Sequence, residues 1–324
     1  MSEQDGLVCA YRLDDATAGA GLDWKGAKEA WAGDGIVWVH LNHSAMLAQR
    51  WIREESGLDA ITVDALLAEE TRPRAESHGE GLLVNLRGVN LNPGADPEDM
   101  VSVRLWIGAR RIVSVRLRRL MAINDIRESM ERGSGPRATD AFLDRIARGL
   151  TDRMGPVVES LEDRLGEVED EVVEKHSIEL RKTLATIRQQ AIGLRRHISP
   201  QREALARLVT MEASWLSEAS RHHIRESADH LIRIVEDLDE LRERAAIIQD
   251  ELSNHLSESM NRRMYSLSVI AGIFLPLSLI TGLLGINVAG IPGADAPWAF
   301  AAVCVVLVVL VILEIIIFRK LRWV

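Results

Sequence analysis

From Met264 to Phe318 the chain carries no lysine or arginine, and its only acids there are Asp295 and Glu314, whereas nearly all other charge lies before residue 264. Two predominantly apolar runs fill this segment, Leu267 to Ile286 with 20 residues and Trp298 to Phe318 with 21. At about 1.5 Å per residue, a helix of either length crosses the roughly 30 Å hydrocarbon core of a bilayer. The connection holding Asn287, Gly290, Pro292, Gly293 and Pro297 is rich in turn formers. Together these predict a transmembrane hairpin in a domain over 264–324. Arg262 and Arg263 precede the first span, Arg319, Lys320 and Arg322 follow the second, and the loop carries only Asp295, so both flanks are expected in the cytoplasm. The overall 47% hydrophobic and 27% charged residues are therefore segregated.

The preceding 263 residues read as cytoplasmic. The start, Met1-Ser2-Glu3-Gln4-Asp5, lacks the basic and then apolar build of a secretory signal. Cys9 and Cys304 have neither the number nor the spacing of a disulfide framework or thiolate zinc site. A net charge of −9 and the lack of a basic stripe argue against a nucleic-acid partner. Residues 1–140 hold β-rich runs at Leu7–Leu13, Ile36–Leu41, Leu82–Val89, Val101–Ile107 and Arg111–Leu117, with helical segments near Met46–Ser56 and Ile61–Leu67. This is the pattern of an α/β domain.

Residues 141–263 read as a long-helix stalk. Leu231, Leu238, Ala245 and Leu252 recur every seven residues, and Ile234, Leu241 and Ile248 form a second series offset by three, the pattern of a helical seam. No glycine or proline intervenes before Gly272, so this helix is expected to run on into the first span. A second series runs through Leu161, Leu165, Val168 and Val172 and then from Leu180 to Ile198, and is expected to end at Pro200. Two long antiparallel helices follow from these patterns.

The first span has a face of Ser268, Gly272, Leu275, Ser278 or Leu279, Gly282 and Asn287. Small residues there admit close neighbours and leave mild oxygen ligands pointing inward, which suits a pore; helix packing alone is an equal reading. Pro276 frees one backbone carbonyl, tolerable in a membrane where a neighbour or water satisfies it. Asp295, the only charge in the loop, can concentrate cations at the mouth or be an ordinary solvated acid. Glu159 to Glu174 holds eight acids against Arg164, read either as a solvated face or as a cation-attracting surface. His222 and Glu226 are four apart and His223 and His230 seven apart, so a helix puts each pair on a common face where Zn²⁺ could regulate. Plain surface is the competing reading. His255 falls on the heptad series, and Glu314 is expected to snorkel or pair with Arg319. No Walker loop, nucleophile elbow, HExxH or paired-carboxylate motif occurs, so neither catalysis nor ATP-driven pumping has residues to carry it.

Gly285-Ile286-Asn287 after a proline-containing span, a short acidic loop, a second span and the basic-aromatic end Arg319-Lys320-Leu321-Arg322-Trp323 resemble the CorA family of divalent-cation transporters. The family's common tripeptide is Gly-Met-Asn. Ile286 in place of Met, together with Glu69-Glu70-Thr71-Arg72-Pro73-Arg74 and Val288-Ala289-Gly290-Ile291-Pro292-Gly293, resembles its zinc-transporting ZntB branch. The resemblance implies a homopentameric funnel in the bacterial inner membrane, with no cofactor and with self, divalent cations and the bilayer as partners. It also implies an axial pore ringed by Asn287 at its outer mouth, lined by Ser278 and Leu275 and narrowed by Leu267, with Asn261 at the cytoplasmic exit and Gly282 on the pore face. Zn²⁺ is the expected cargo, with Cd²⁺, Co²⁺ and Ni²⁺ as related ions. A Mg²⁺/Co²⁺ channel of the same fold, zinc efflux, and a membrane-anchored cytoplasmic sensor or scaffold are the alternatives. Uptake, with proton coupling as one mode, follows from a negative-inside potential worth about 2.3 kcal/mol per charge per 100 mV.

Overall fold

The computed structural model describes residues 5–14, 19–69, 72–174, 178–285, 293 and 296–320. The chain divides into two compact units, Met1–Gln249 and Asp250–Val324.

The first unit is built on a six-stranded sheet: β1 (Leu7–Arg12), β2 (Val37–Asn42), β3 (Arg74–His78), β4 (Gly81–Gly88), β5 (Val101–Ile107) and β6 (Arg111–Arg116), in the order β1-β2-β6-β5-β4-β3. Only the β2–β6 pair is parallel. Five strands fall where the apolar alternation puts them. β3 does not, because Arg-Ala-Glu-Ser-His has a single buried side chain, Ala75, and so shows no alternation. What forms it is the tight connection through Gly79, at φ +59°, which returns His78 onto Gly81.

Three helices, α1 (Trp24–Ala32), α2 (Met46–Glu54) and α3 (Ala60–Leu67), close over a core that includes Val37, Val39, Leu41, Trp51, Ile52, Leu66, Leu83, Val113 and Val115. Asp23 and Asp59 cap α1 and α3 by accepting from Gly26 N at 2.7 Å and Thr62 N at 3.0 Å. Helices α4 (Met121–Glu131) and α5 (Thr139–Thr151) follow the sheet, and Phe142 of α5 packs tilted against fully buried Trp38, ring centroids 4.8 Å apart. None of α1, α4 and α5 was expected from the sequence.

The seam helix of Leu231 to Leu252 forms as expected, whereas the second series, from Leu161 to Ile198, forms two helices instead of one. Helices α6 (Gly155–Glu174) and α7 (Ile178–Thr210) run antiparallel, joined sideways by Arg164 Nη1 donating to Gln190 Oε1 at 2.9 Å. Helix α8 begins at Glu218 and supplies a third wall. Arg244 of α8 bonds Glu169 of α6 at 2.7 Å, and Arg195 of α7 meets Asp239 of α8 at 2.6 Å. Leu161, Leu165 and Val168, then Leu184, Ile187, Ala191 and Leu194, then Leu231, Ile234, Leu238, Leu241, Ala245 and Ile248, are all buried within one chain. The seam on α8 is therefore satisfied by α6 and α7 of the same molecule. Helix α7 also passes its expected end: Pro200 removes one backbone bond, but Ala204, Leu205 and Leu208 beyond it are buried and Gln201 Oε1 accepts from Arg87 N at 2.6 Å. Packing outweighs the proline.

Two histidines make the unit acid-sensitive. His40 is fully buried, with Nδ1 at 2.7 Å from Ser114 Oγ, and burial with the nearby Arg116 pushes it down to about 3. His197 is lowered to about 4 by burial and by Arg87. Each is neutral in the fold but takes up a proton on unfolding below about pH 6.5, so its contribution is complete above that value and is lost as pH falls toward 4 and then 3. In urea titrations of the whole protein, followed through Trp24, Trp31, Trp38, Trp51 and Trp106, we expect stability to be flat from pH 8 to 7. It should then drop by about 1 kcal/mol from His40 alone by pH 5.5, and His40→Gln should flatten that slope whatever it does to absolute stability.

Candidate functional site

The second unit contains the C-terminal part of α8, which ends at Gly285, and α9 (Ala299–Lys320). Both are long and apolar enough to span a bilayer, and neither buries its apolar window within one chain. On α8 the partly covered residues are Val269, Ala271, Gly272, Ile273, Pro276, Leu277 and Ile280. A Cβ at Gly272 would stand 2.9 Å from Phe318 Cζ, so this glycine admits the ring of α9. Gly272 thus serves the hairpin, the packing alternative of the two open for the small-residue face. Gly282 and Gly285 have nothing within 4 Å of a built Cβ.

Taking Leu267 as the origin and about 100° per residue, Leu275, Ser278, Gly282 and Gly285 all fall within about 80° of one another, and Pro276 falls about 180° away. These five candidates are exposed. They share the face of α8 turned from α9. Asn261, also exposed, lies about 40° beyond the Leu275 edge of that face. Ile286, Asn287 and Asp295 lie outside the described residues.

The hydroxyls near this face are committed locally. Ser266 Oγ donates to Arg262 O at 3.0 Å, Ser268 Oγ to Met264 O at 2.9 Å, and Thr281 Oγ1 to Leu277 O at 2.9 Å. With their protons held by the helix, these oxygens offer lone pairs only. Glu314 departs from expectation. Instead of reaching Arg319, its Oε2 is buried without a hydrogen-bond partner among the described residues, and Glu314 is partly covered like Phe318, one helical turn on. An acid inside an apolar span is the sequence signal that marked it.

The four candidate metal ligands on α8 do not converge. His222 Nε2 lies 3.5 Å from Glu226 Oε1, both exposed. His223 turns to α5, its Nδ1 3.2 Å from Asp144 Oδ2, and Arg148 Nη2 reaches the same oxygen at 2.7 Å. His230 lines a surface cavity of about 460 Å³ with His223 and Glu226, between Arg148 and Arg233. Among the described residues no group of three or more His, Cys, Asp or Glu is arranged to hold a metal ion. Sequence spacing on α8 could not foresee Asp144, which belongs to another helix.

Residues 33–320 match the family described as CorA-like Mg2+ transporter protein. The chain belongs to this family. It is 43% identical over 89% of its length, and 87% of the relative's, to a divalent cation transporter, CmaX, of Pseudomonas aeruginosa. It is 36% identical over 94% of its length, and 92% of the relative's, to the zinc transport protein ZntB of Pectobacterium carotovorum. Among solved structures, the full-length CmaX protein matches with a TM-score of 0.82 at 39% identity, covering 99% of each chain. Members of the CorA-like family are ion transporters and not enzymes, and this chain is a divalent cation transporter of that family.

The hairpin contact yields a test. Gly272→Leu should lower the thermal midpoint of the detergent-solubilised protein by several degrees, because the new side chain occupies the place of the Phe318 ring. Phe318→Ala should recover most of that loss in the double variant, which differential scanning fluorimetry would detect.

Proposed function

We propose that the protein is a homopentameric Zn²⁺ transporter of the bacterial inner membrane, with both termini cytoplasmic and the cation passing inward through an axial pore lined by α8. The observation that carries this reading is the exposed face of Leu267, Leu275, Ser278, Gly282 and Gly285, turned away from α9. Cyclic repetition of one chain lets such a face enclose a channel, with α9 toward lipid. Zinc as cargo is supported by Ile286 in the tripeptide and by relatives named as zinc transport proteins. The broader name of CmaX keeps Mg²⁺ as the second reading. Asn287 provides an amide oxygen at the mouth, suited to a cation that retains its water, since binding must be weak enough to release the ion.

Reconstitution in proteoliposomes tests the reading. Zn²⁺ influx under an inside-negative potential should exceed Mg²⁺ influx, and reversed preference would favour the magnesium channel. Asn287→Ala should cut Zn²⁺ flux at least tenfold while the assembly keeps its mass; undiminished flux would remove the mouth from the mechanism.

Asp295 supplies the only formal charge between the spans. If it acts through its field, Asp295→Asn should reduce Zn²⁺ flux more at low salt than at high, since the Debye length is about 8 Å at physiological ionic strength and longer in dilute buffer. A salt series on both proteins separates this from direct coordination, which predicts a salt-independent loss.

A further inference from the structure

The stalk presents two exposed helix faces of opposite sign with no partner among the described residues. On α6, Glu159, Asp163 and Glu167 repeat every four residues on the side opposite buried Leu161, Leu165 and Val168. On α7, Arg188, Ile192 and Arg196 also repeat every four residues, on an exposed face that turns from about 90° to about 170° away from buried Ile187, Ala191 and Leu194. None of these five charged side chains makes a hydrogen bond or ion pair with a described residue, although their neighbours Arg164, Glu169 and Arg195 are all engaged within the bundle. Ile192 is 45% exposed at the centre of the basic stripe.

The two stripes also match in length and level. Glu159 to Glu167 and Arg188 to Arg196 each span eight residues, about 12 Å of helix. The bond from Arg164 to Gln190 fixes the antiparallel register of α6 and α7. Counting one for one from that pair, Glu159 lies level with Arg195 and Glu167 with Ile187, each one residue from an arginine of the stripe. Rotation about an axis along the helices moves a residue sideways but not up or down. In a ring, the acids of one copy therefore arrive at the height of the arginines of the next.

We propose that the acidic face of α6 in one copy docks on the basic face of α7 in its neighbour, with Glu167 against Arg188, Glu159 against Arg196, and Asp163 beside Ile192. This rests on the ring assembly proposed above and names the stalk surface that joins its copies. The occupant is a second copy of this chain because charge, spacing and level all match a surface of the chain itself. Exposed ion pairs each contribute little, so the pairs set register and orientation and exclude like-charged encounters. The contact is heterologous, and such a contact closes into a ring when its rotation permits.

Paired-cysteine cross-linking tests this in the full-length protein carrying Cys9→Ser and Cys304→Ser. Two differently tagged chains, one with Glu167→Cys and the other with Arg188→Cys, are co-expressed, purified in detergent and oxidised mildly. Disulfide-linked heterodimers should form at least about tenfold more than for Glu167→Cys with Arg207→Cys, a mismatched level, because a docked pair holds its thiols at an effective concentration near millimolar. Native mass spectrometry of the same samples reads the assembly. A five-copy mass with no preference between the two pairs would overturn the docking and leave the pentamer standing. A monomeric mass would overturn both.

Discussion

Closure of three apolar seams inside a single chain is the constraint on which the first unit depends. Helices α6, α7 and α8 each bury a continuous stripe against the other two, so the stalk needs no second copy to keep its leucines from water. At about 25 cal/mol per Å² of apolar surface removed from water, this burial fixes which face of each helix looks inward. It thereby fixes which charges look outward. Arg195 and Glu169 find partners within the bundle, while exposed Arg188 and Glu167 pair with no described residue.

The membrane helices obey a different rule. Between two apolar helices in lipid there is no hydrophobic gain, so close approach depends on a gap of the right size. Gly272 opposite Phe318 is such a gap. It spends one side of α8 on the hairpin and leaves the other side, with Leu267, Ser278 and Gly282, uncovered.

How much could be read from residues alone follows from where each signal resides. The spans, the seams and five strands were legible because their periodicity is carried by the element itself. β3, with one buried side chain, and α7 beyond Pro200, where burial against the sheet decides, were not, because their stability comes from distant partners. The same division runs through the candidate site. Spacing put Leu275, Ser278 and Gly282 on one face correctly, since one helix determines it. It could not tell that Gly272 belongs to α9's contact or that His223 is held by Asp144, since those facts belong to pairs of helices. Of the two candidate pairings on α8, His222 with Glu226 does meet, while His223 turns to Asp144.

The donor chemistry of α8 bears on how the proposed pore could choose its cargo. Zinc is held tightly by thiolate, imidazole and carboxylate, and between Met264 and Gly285 the helix offers none of these. The hydroxyls of Ser268 and Thr281, beside the two edges of the exposed face, are tied to carbonyls one turn back, so toward a passing ion they would be fixed acceptors. Such acceptors suit the water shell of a hydrated ion better than the ion itself, and hydrated divalent cations differ less from one another than bare ones. On this chemistry a preference for zinc cannot arise along the shaft of α8. In the pore proposed above it would be set where the ion first loses or reorders water, for which the tripeptide Gly285-Ile286-Asn287 is the proposed place. There a change from Met to Ile exchanges a flexible, polarizable thioether for a stiff branched chain beside the Asn287 amide.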